Sequence, residues 1–222
     1  VYEAPHSRVV VNTEEKCQSQ GAFLFTDSSL INSGFVANRF WLFSDNDTST
    51  LLNRVKQFSN YGTYSARLIV TSNQGCRDTA LKSIRVHPKT NISYSTNDSM
   101  QCLSGNIFVF TNSSSIDSGS YTFLWQLGGM DTNTQNMVSK SYTTPGTYQI
   151  QLTTYTNQGC KDSLIKTVVV HPQTNTGFTI NDSDQCLINN MFNYTNMSSL
   201  STGIFSSLWH FGNGDTSTQS SP

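Results

Sequence analysis

Five cysteines carry the most specific covalent chemistry in this 222-residue chain. They lie at Cys17, Cys76, Cys102, Cys160 and Cys186. The chain around them is rich in uncharged polar residues, with 32 Ser, 27 Thr and 21 Asn. Five cysteines in such a helix-poor chain indicate an oxidising compartment, where disulfides form and persist. We therefore expect these thiols to form disulfides.

Four aspartates fall in one recurring loop and could hold calcium through their carboxylate oxygens. They are Asp45, Asp47, Asp131 and Asp215. The alternative is that Asp and Asn suit this turn because their side chains bond the nearby backbone. The four histidines show no zinc-ligand spacing, and no nucleophile elbow, phosphate loop or His-Glu-x-x-His motif occurs. We expect no enzyme activity, no cofactor and no metal site beyond these calcium candidates.

The composition excludes several classes of protein. Only 12% of the residues are charged and the formal net charge is -1, so no basic surplus exists to neutralise nucleic-acid phosphates. No run of 18 apolar residues could span a membrane as a helix. Ser, Thr and Asn are poor helix formers, whereas Thr, Tyr, Phe and Val suit a pleated sheet. We expect an all-β protein.

A repeat of about 84 residues organises the chain. The segment Asn-Gln-Gly-Cys-Arg-Asp at 73–78 returns as Asn-Gln-Gly-Cys-Lys-Asp at 157–162, 84 residues later. The other recurring positions are Trp41 with Trp125 and Trp209, Gly62 with Gly146, Tyr64 with Tyr148, and Cys17 with Cys102 and Cys186. We expect tandem domains built on this period.

The period gives the domain boundaries. Residues 5–87 form the first repeat, 88–171 the second and 172–222 a partial third, while residues 1–4 align with the end of a preceding repeat. We read the chain as part of a longer polypeptide; the alternative is a half-domain that another chain completes. A His-Pro pair joins each repeat to the next, and proline stiffens so short a junction. Stiff junctions favour a rod over a flexible tether.

The second repeat shows the strand pattern. Apolar and polar residues alternate at 106–111, 121–127 and 148–153, and Asn157-Gln158-Gly159 signals a hairpin before a returning strand at 164–170. About six or seven short strands in 84 residues are typical of a two-sheet sandwich. We expect these residues to face inward: Phe108, Phe110, Trp125, Leu127, Tyr142, Tyr148, Ile150, Leu152, Ile165 and Val168.

Two segments resemble the PKD (polycystic kidney disease) family of Ig-like domains. Residues 209–215, Trp-His-Phe-Gly-Asn-Gly-Asp, are similar to the Trp-x-Phe-Gly-Asp-Gly signature of that family, and residues 142–152 are similar to its Tyr-x-x-x-Gly-x-Tyr-x-Val-x-Leu strand. Residues 159–163 resemble the Gly-Cys-x-Asp-Thr form found in surface proteins of Bacteroidota. Ser44 and Leu127 depart from the signature, so its turn can differ between copies. The resemblance implies tandem Ig-like sandwiches, arranged head to tail, on the outside of a cell and without catalysis of their own.

The same resemblance places two classes of cysteine at opposite ends of each sandwich. Cys17 and Cys102 lie near the A–B turn at the bottom, and Cys76 and Cys160 near the F–G turn at the top. The ends of a strand are about 17 Å apart, whereas bonded cysteines need Cα atoms within about 7 Å. We therefore favour Cys17–Cys160 across the junction between repeats one and two, with Cys76, Cys102 and Cys186 pairing outside this sequence. The alternative is Cys17–Cys76 and Cys102–Cys160 within repeats, with Cys186 unpaired.

These features favour a structural or adhesive surface protein, a stalk or filament of stacked sandwiches. Its partners would be copies of itself, joined end to end or laterally, and surface glycans or proteins, with no nucleic acid and no membrane span. The alternative is an accessory carbohydrate- or protein-binding module of a secreted hydrolase, which predicts a row of exposed aromatic rings on one sheet.

Overall fold

A computed structural model describes residues 2–222, which form β-strands joined by turns and contain no α-helix. None of these residues belongs to a helix long and apolar enough to cross a membrane. The expected all-β, Ig-like fold is confirmed. The high content of Thr and Phe in the chain accounts for this outcome, because these side chains pack well on a pleated, half-buried surface.

The first repeat is a sandwich of two sheets. The strands are β1 Val9–Val11, β2 Glu15–Cys17, β3 Phe23–Asp27, β4 Val36–Phe43, β5 Thr48–Ser49, β6 Asn53–Lys56, β7 Gly62–Ser72 and β8 Arg77–His87. One sheet has the strand order β1-β3-β6 and is antiparallel, and the other has the order β2-β8-β7-β4-β5. Strand β2 runs parallel to β8, and the remaining pairs of the larger sheet are antiparallel.

Alternate residues of these strands fill the space between the two sheets. On β3, Phe23 and Phe25 are buried, and Trp41 and Phe43 on β4 face them from the other sheet. The rings of Phe25 and Phe43 meet edge to face with their centroids 5.2 Å apart. The core of the first repeat is therefore built on aromatic residues at period-two spacing.

The second repeat has the same two main sheets. Its strands are β9 Thr90–Asn91, β10 Tyr94–Thr96, β11 Met100–Cys102, β12 Phe108–Asn112, β13 Ser115–Ile116, β14 Tyr121–Leu127, β15 Thr132–Asn133, β16 Met137–Lys140, β17 Gly146–Thr156 and β18 Lys161–His171. The sheet orders are β10-β12-β16 and β11-β18-β17-β14-β15, with a short extra pair of β9 and β13. The expected hairpin turn lies between β17 and β18, where Gly159 adopts a φ of 78°.

Ile165 corrects the predicted core of the second repeat. Eight of the ten predicted inward residues are buried, Tyr148 is half-buried, and Ile165 is 51% exposed. Val168 on the same strand is buried. Because side chains alternate between the two faces of a strand, residues three positions apart cannot face the same side. Predicting both Ile165 and Val168 as core residues was therefore wrong for Ile165.

Residues 172–222 form four short strands, β19 Phe178–Ile180, β20 Tyr194–Asn196, β21 Trp209–His210 and β22 Thr216–Ser217. Strand β19 pairs with β20 and β21 pairs with β22, both antiparallel. The rings of Phe178, Tyr194 and Trp209 contact one another at centroid distances of 5.5–6.1 Å. These residues retain the aromatic pattern of the complete repeats.

The described chain forms two compact units that do not follow the repeat boundaries. The first unit contains residues 2–93, 113–124 and 152–164, and the second contains 94–112, 125–151 and 165–222. The first unit thus combines the whole first repeat with segments of the second. The junction between these two repeats lies inside a single compact unit.

Candidate functional site at the repeat junction

Cys17 and Cys160 form a disulfide that connects the first repeat to the second. The sulfur atoms are 2.00 Å apart, the Cα atoms are 5.6 Å apart, and 143 residues separate the two cysteines in sequence. Both side chains are buried. The predicted cross-repeat pair is confirmed, and the within-repeat alternative is wrong for both cysteines.

Strand pairing positions Cys17. Cys17 is the last residue of β2 and pairs with His87 at the end of β8 in parallel register. Beyond it, the Gln18 amide donates to the His87 carbonyl over 3.0 Å, and the Cys17 amide donates to Oε1 of Gln20 over 3.1 Å. These bonds hold Cys17 beside the end of the strand that leads into the second repeat.

A tight turn positions Cys160. The Cys160 amide donates to Oγ1 of Thr156 over 3.0 Å, and the Thr156 amide donates to the Cys160 carbonyl over 2.8 Å. The Gly159 amide donates to the Thr156 carbonyl over 3.0 Å, and the positive φ of Gly159 is one that glycine adopts without strain. The cysteine therefore sits on a rigid hairpin rather than on a loose loop.

Polar contacts lie on each side of the junction, one within each repeat. Nε2 of His87 lies 3.0 Å from a carboxylate oxygen of Glu15, and the hydroxyl groups of Thr90 and Thr154, both buried, share a hydrogen bond. Thr90 begins β9, which pairs with β13. Buried hydroxyl pairs are costly to separate because each would lose its partner away from water. Main-chain pairing and side-chain hydrogen bonds thus order each side of the junction within its own repeat, and the Cys17–Cys160 bond connects the two repeats.

Comparison with protein-family models shows which family the two sandwiches match. The model of the PKD domain matches residues 3–87 and 94–172, which is most of the chain. The chain belongs to the PKD domain family. The comparison with curated proteins finds no match.

Solved PKD domains are among the structural neighbours. The PKD1 domain of the Vibrio cholerae metalloprotease PrtV is 26% identical, covering 38% of this chain and 98% of its own, with a TM-score of 0.34. The PKD1 domain of Vibrio anguillarum Epp is 20% identical over 38% of this chain and 95% of its own, also with a TM-score of 0.34. Three N-terminal domains of the bacteriophage RB49 outer capsid protein Hoc are 10% identical, covering 99% of this chain and 80% of theirs, with a TM-score of 0.41.

The signature residues of the PKD repeats have structural roles. In all three repeats the indole Nε1 donates to the carbonyl ten residues later over 2.9–3.0 Å: Trp41 to Leu51, Trp125 to Gln135 and Trp209 to Gln219. Trp41 and Trp125 are fully buried and Trp209 is half-buried. The tryptophan therefore connects strand to loop at the same place in both PKD repeats and in residues 172–222.

The glycine and tyrosine of the signature form a second structural feature that recurs in both PKD repeats. The hydroxyl of Tyr64 donates to the Asn60 carbonyl over 2.9 Å, and that of Tyr148 donates to the Thr144 carbonyl over 2.8 Å. Gly62 and Gly146, two residues before these tyrosines, adopt φ values of 148° and 157°, which side chains disfavour. Both tyrosine rings stack on an aromatic neighbour, so each corner is fixed by packing and by a hydrogen bond.

Lysine and arginine side chains of strand β6 contact the predicted calcium loop of the first PKD repeat. Asp47 contacts Nζ of Lys56 and Nη2 of Arg54, each over 2.8 Å, and Asp45 contacts the same Lys56 over 2.7 Å. The hydrogen bond from Lys56, followed by that from Arg54, holds the pKa of Asp47 well below its usual range. The ammonium group stands where a cation would bind, so calcium here remains a prediction without structural support.

The equivalent loops repeat this arrangement in part. Asp131 forms an ion pair with Lys140, and Asp215 accepts a hydrogen bond from Nδ2 of Asn213 over 2.5 Å. The amide of Asp215 donates to Oδ1 of Asn213 over 3.1 Å, the Asx bond that suits such turns. Within residues 2–222, no three His, Cys, Asp or Glu side chains form a group that could hold a metal.

The other three cysteines carry free thiols. Cys76 is partly buried, with its sulfur 3.9 Å from the Tyr2 carbonyl oxygen, and Cys102 and Cys186 are exposed. The expectation that they pair outside this sequence stays a prediction.

Sequence reasoning missed Glu15, Thr90 and Thr154 near the junction, since polar residues are so abundant in this chain that no pattern distinguishes them.

Proposed function

We propose that this chain is a non-catalytic structural segment of an extracellular stalk or filament, in which disulfides lock successive PKD sandwiches together. The carrying observation is the buried Cys17–Cys160 bond between the two complete repeats. PKD domains typically occur in extracellular proteins, and such a bond persists in an oxidising compartment. The resemblance to surface proteins of Bacteroidota stays a prediction.

The junction has two covalent connections where an ordinary linker has one. The backbone passes from His87, the last residue of β8, to Thr90, the first residue of β9, through Pro88 and Lys89 alone. The disulfide supplies the second connection. Two attachments on a short, proline-stiffened junction resist bending far better than a single flexible chain does. A segment that must transmit force or maintain direction needs this property.

The surface chemistry is compatible with this role. Ser, Thr and Asn supply hydroxyl and amide groups that keep the surface hydrated although the net charge is only -1. Low charge also limits repulsion between neighbouring copies in an assembly. The proposed partners are copies of the protein itself, with surface glycans or proteins as further contacts.

The accessory-module alternative predicts a row of exposed aromatic rings on one sheet. On the outer face of the larger sheet of the first repeat, Phe40 is exposed, but its neighbours in register across the sheet are Ile69 and then Thr79. The position equivalent to Phe40 in the second repeat is Leu124. This arrangement gives no support to a stacking platform for sugars, so the stalk remains the proposal.

Electron microscopy of the native material tests the proposal. We expect long, uniform fibres or stalks of regular width. Monodisperse particles that bind polysaccharide on a glycan array would contradict the stalk and favour the accessory module. The double variant Cys17→Ser with Cys160→Ser connects the result to the junction disulfide, because it should shorten or bend the fibres. Ser118→Ala, at an exposed serine, is the control and should leave them unchanged.

A further inference from the structure

We propose that the outer face of the larger sheet of the first repeat binds an acidic polysaccharide through three arginines on strands β7 and β8. These residues, named here the arginine row, are Arg67, Arg77 and Arg85. The inference rests on the proposed function and deepens it, because it names the class of surface glycan that the stalk would contact.

Strand pairing places the arginine row on one face of the sheet. All three arginines are exposed, while Ile84 and Val86, which alternate with Arg85, are buried in the core. Four residues of a strand span about 13 Å, so the arginines follow one line along the sheet at roughly that spacing. The register pairs that define the line are Arg85 with Thr63, Leu81 with Arg67, and Arg77 with Thr71.

The arginine row has no acidic partner. None of its members is among the ion pairs that residues 2–222 form. Glu15 lies opposite Arg85 in the register of β2 and β8, but its carboxylate contacts Nε2 of His87. The first repeat, residues 5–87, carries nine Lys and Arg against six Asp and Glu, whereas the second carries four of each. The local surplus of positive charge attracts an anionic ligand.

The second repeat forms the same two main sheets without the arginine row. The fold itself therefore does not require these arginines, and they are a feature of the surface of the first repeat. The residues 84 positions further on are Gln151 for Arg67, Val169 for Arg85 and Lys161 for Arg77.

Stacking of sandwiches leaves this face accessible. Arg85 is exposed although its strand continues directly into the second repeat. Lys161, the equivalent of Arg77, is exposed although Cys160 beside it is buried and bonded to the first repeat. Both ends of the arginine row thus stay open to a ligand where one sandwich adjoins the next.

The chemistry of the face suits a charged sugar polymer. A guanidinium group donates two parallel hydrogen bonds to a carboxylate, and its planar fork suits the oxygens of a sulfate in the same way. Thr63, Thr79 and Ser83 are exposed on the same face and offer hydroxyl groups to the hydroxyls of the sugars. A polymer with an acid group in each repeating unit can contact several arginines at once, which raises its affinity.

Nucleic acid is the less suitable anion. Double-stranded DNA carries one charge per about 1.7 Å of its axis, so three arginines over about 27 Å would leave most phosphates unneutralised. Single strands are bound by stacking their bases on aromatic rings. The residues of β7 and β8 on this face include no aromatic ring, so the arginine row favours a polymer with more widely spaced charges.

Binding of the 222-residue chain to immobilised polymers, measured by biolayer interferometry, tests the inference. The polymers are alginate, dextran sulfate, uncharged dextran and a DNA duplex. We expect binding to alginate, to dextran sulfate or to both, which shows whether carboxylate or sulfate is recognised, and no binding to dextran. The affinity should fall as the concentration of NaCl rises, because salt screens exposed charges.

Two double variants locate the binding site. Arg67→Gln with Arg85→Val introduces the residues of the second repeat and should weaken binding about tenfold, the effect of losing two exposed ion pairs. Arg8→Gln with Lys89→Gln removes two charges at exposed positions outside β7 and β8 and should leave the affinity unchanged. Thermal unfolding followed by circular dichroism checks that both variants fold.

Three results would overturn the inference. The first is no binding to either acidic polysaccharide, and the second is tighter binding to DNA than to both of them. The third is an equal loss of affinity in the two double variants, which would show that net charge and not the arginine row governs binding. None of these results bears on the stalk itself, which is tested by the shape of the fibres in the electron microscope.

Discussion

Two tyrosine hydroxyls lie inside the second PKD repeat, and each is satisfied by one backbone carbonyl. Tyr94 donates to the Ile150 carbonyl over 2.6 Å, and Tyr142 donates to the Leu127 carbonyl over 3.2 Å. Burial raises the pKa of Tyr94 to about 12 and that of Tyr142 to about 12. These residues make the folding stability sensitive to alkaline pH.

The direction of this pH effect follows from proton binding. An unfolded tyrosine loses its proton near pH 10, roughly its ordinary pKa, while the folded protein keeps both protons until about pH 12. The tyrosines' contribution to stability is therefore complete below pH 10 and is lost as the pH rises towards 12. Thermal unfolding followed by circular dichroism should show the melting temperature falling over this range.

Replacing both buried hydroxyls should weaken this dependence. In Tyr94→Phe with Tyr142→Phe, the melting temperature should fall less steeply between pH 10 and 12 than in the unchanged protein. Tyr155→Phe, at an exposed ring, is the control and should not alter the slope. A double variant with the original slope would show that these phenols do not govern alkaline unfolding.

Among the strands, β14 shows where prediction from sequence succeeds and β18 shows where it fails. Strand β14 was predicted with its observed bounds because Phe123, Trp125 and Leu127 alternate without interruption. On β18, Ile165 and Val168 are both apolar, and the sequence does not show which face each occupies until the pairing register is known. Strand existence is thus encoded locally, whereas the choice of face depends on the partner strand.

Two isoleucines of the second repeat test this assignment. Ile150 is fully buried and Ile165 is 51% exposed. Ile150→Ala should lower the free energy of unfolding by about 2–5 kcal/mol, as core truncations do. Ile165→Ala should lower it by roughly 0.5 kcal/mol, the range of ordinary surface changes. Urea unfolding measures both, and similar losses for the two variants would contradict the assigned faces.

The glycine before each tyrosine corner gives a second test at this scale. Gly146→Ala should lower the free energy of unfolding by about 1–3 kcal/mol, because alanine disfavours a φ of 157°. Gly212→Ala is the control, since its φ is not in the positive range and an added Cβ meets no atom within 4 Å. If the two variants unfold at the same urea concentration, backbone conformation at the corner is not what selects glycine.

At the scale of the whole molecule, the 84-residue period made the disulfide predictable. Repeat-equivalent cysteines, together with the PKD resemblance, identified top and base positions, and these left Cys17–Cys160 as the pair across a junction. The hydrogen bond between Thr90 and Thr154 carried no such signal, because 59 serines and threonines give no reason to choose two. The covalent connection between repeats could be predicted from periodicity, but polar contacts such as this one within the second repeat require the folded chain.

The disulfide should also add stability to the junction. Closing a loop of 143 residues removes unfolded-state entropy worth about 5 kcal/mol in the chain-entropy model. Cys17→Ser with Cys160→Ser should therefore unfold at a lower temperature than the oxidised protein in differential scanning calorimetry. Cys102→Ser, which removes a free and exposed thiol, should melt like the unchanged protein.

In the proposed stalk, the Cys17–Cys160 bond fixes the direction of one PKD repeat relative to the next. Leu81 and Thr122 are exposed positions in the first and second repeats. Nitroxide labels can be attached at both through an unnatural amino acid that needs no thiol. Pulsed electron paramagnetic resonance then measures the distance between the two labels. We expect one narrow distance distribution in the oxidised protein and a clearly broader one in Cys17→Ser with Cys160→Ser. Distributions of equal width in the two proteins would contradict it.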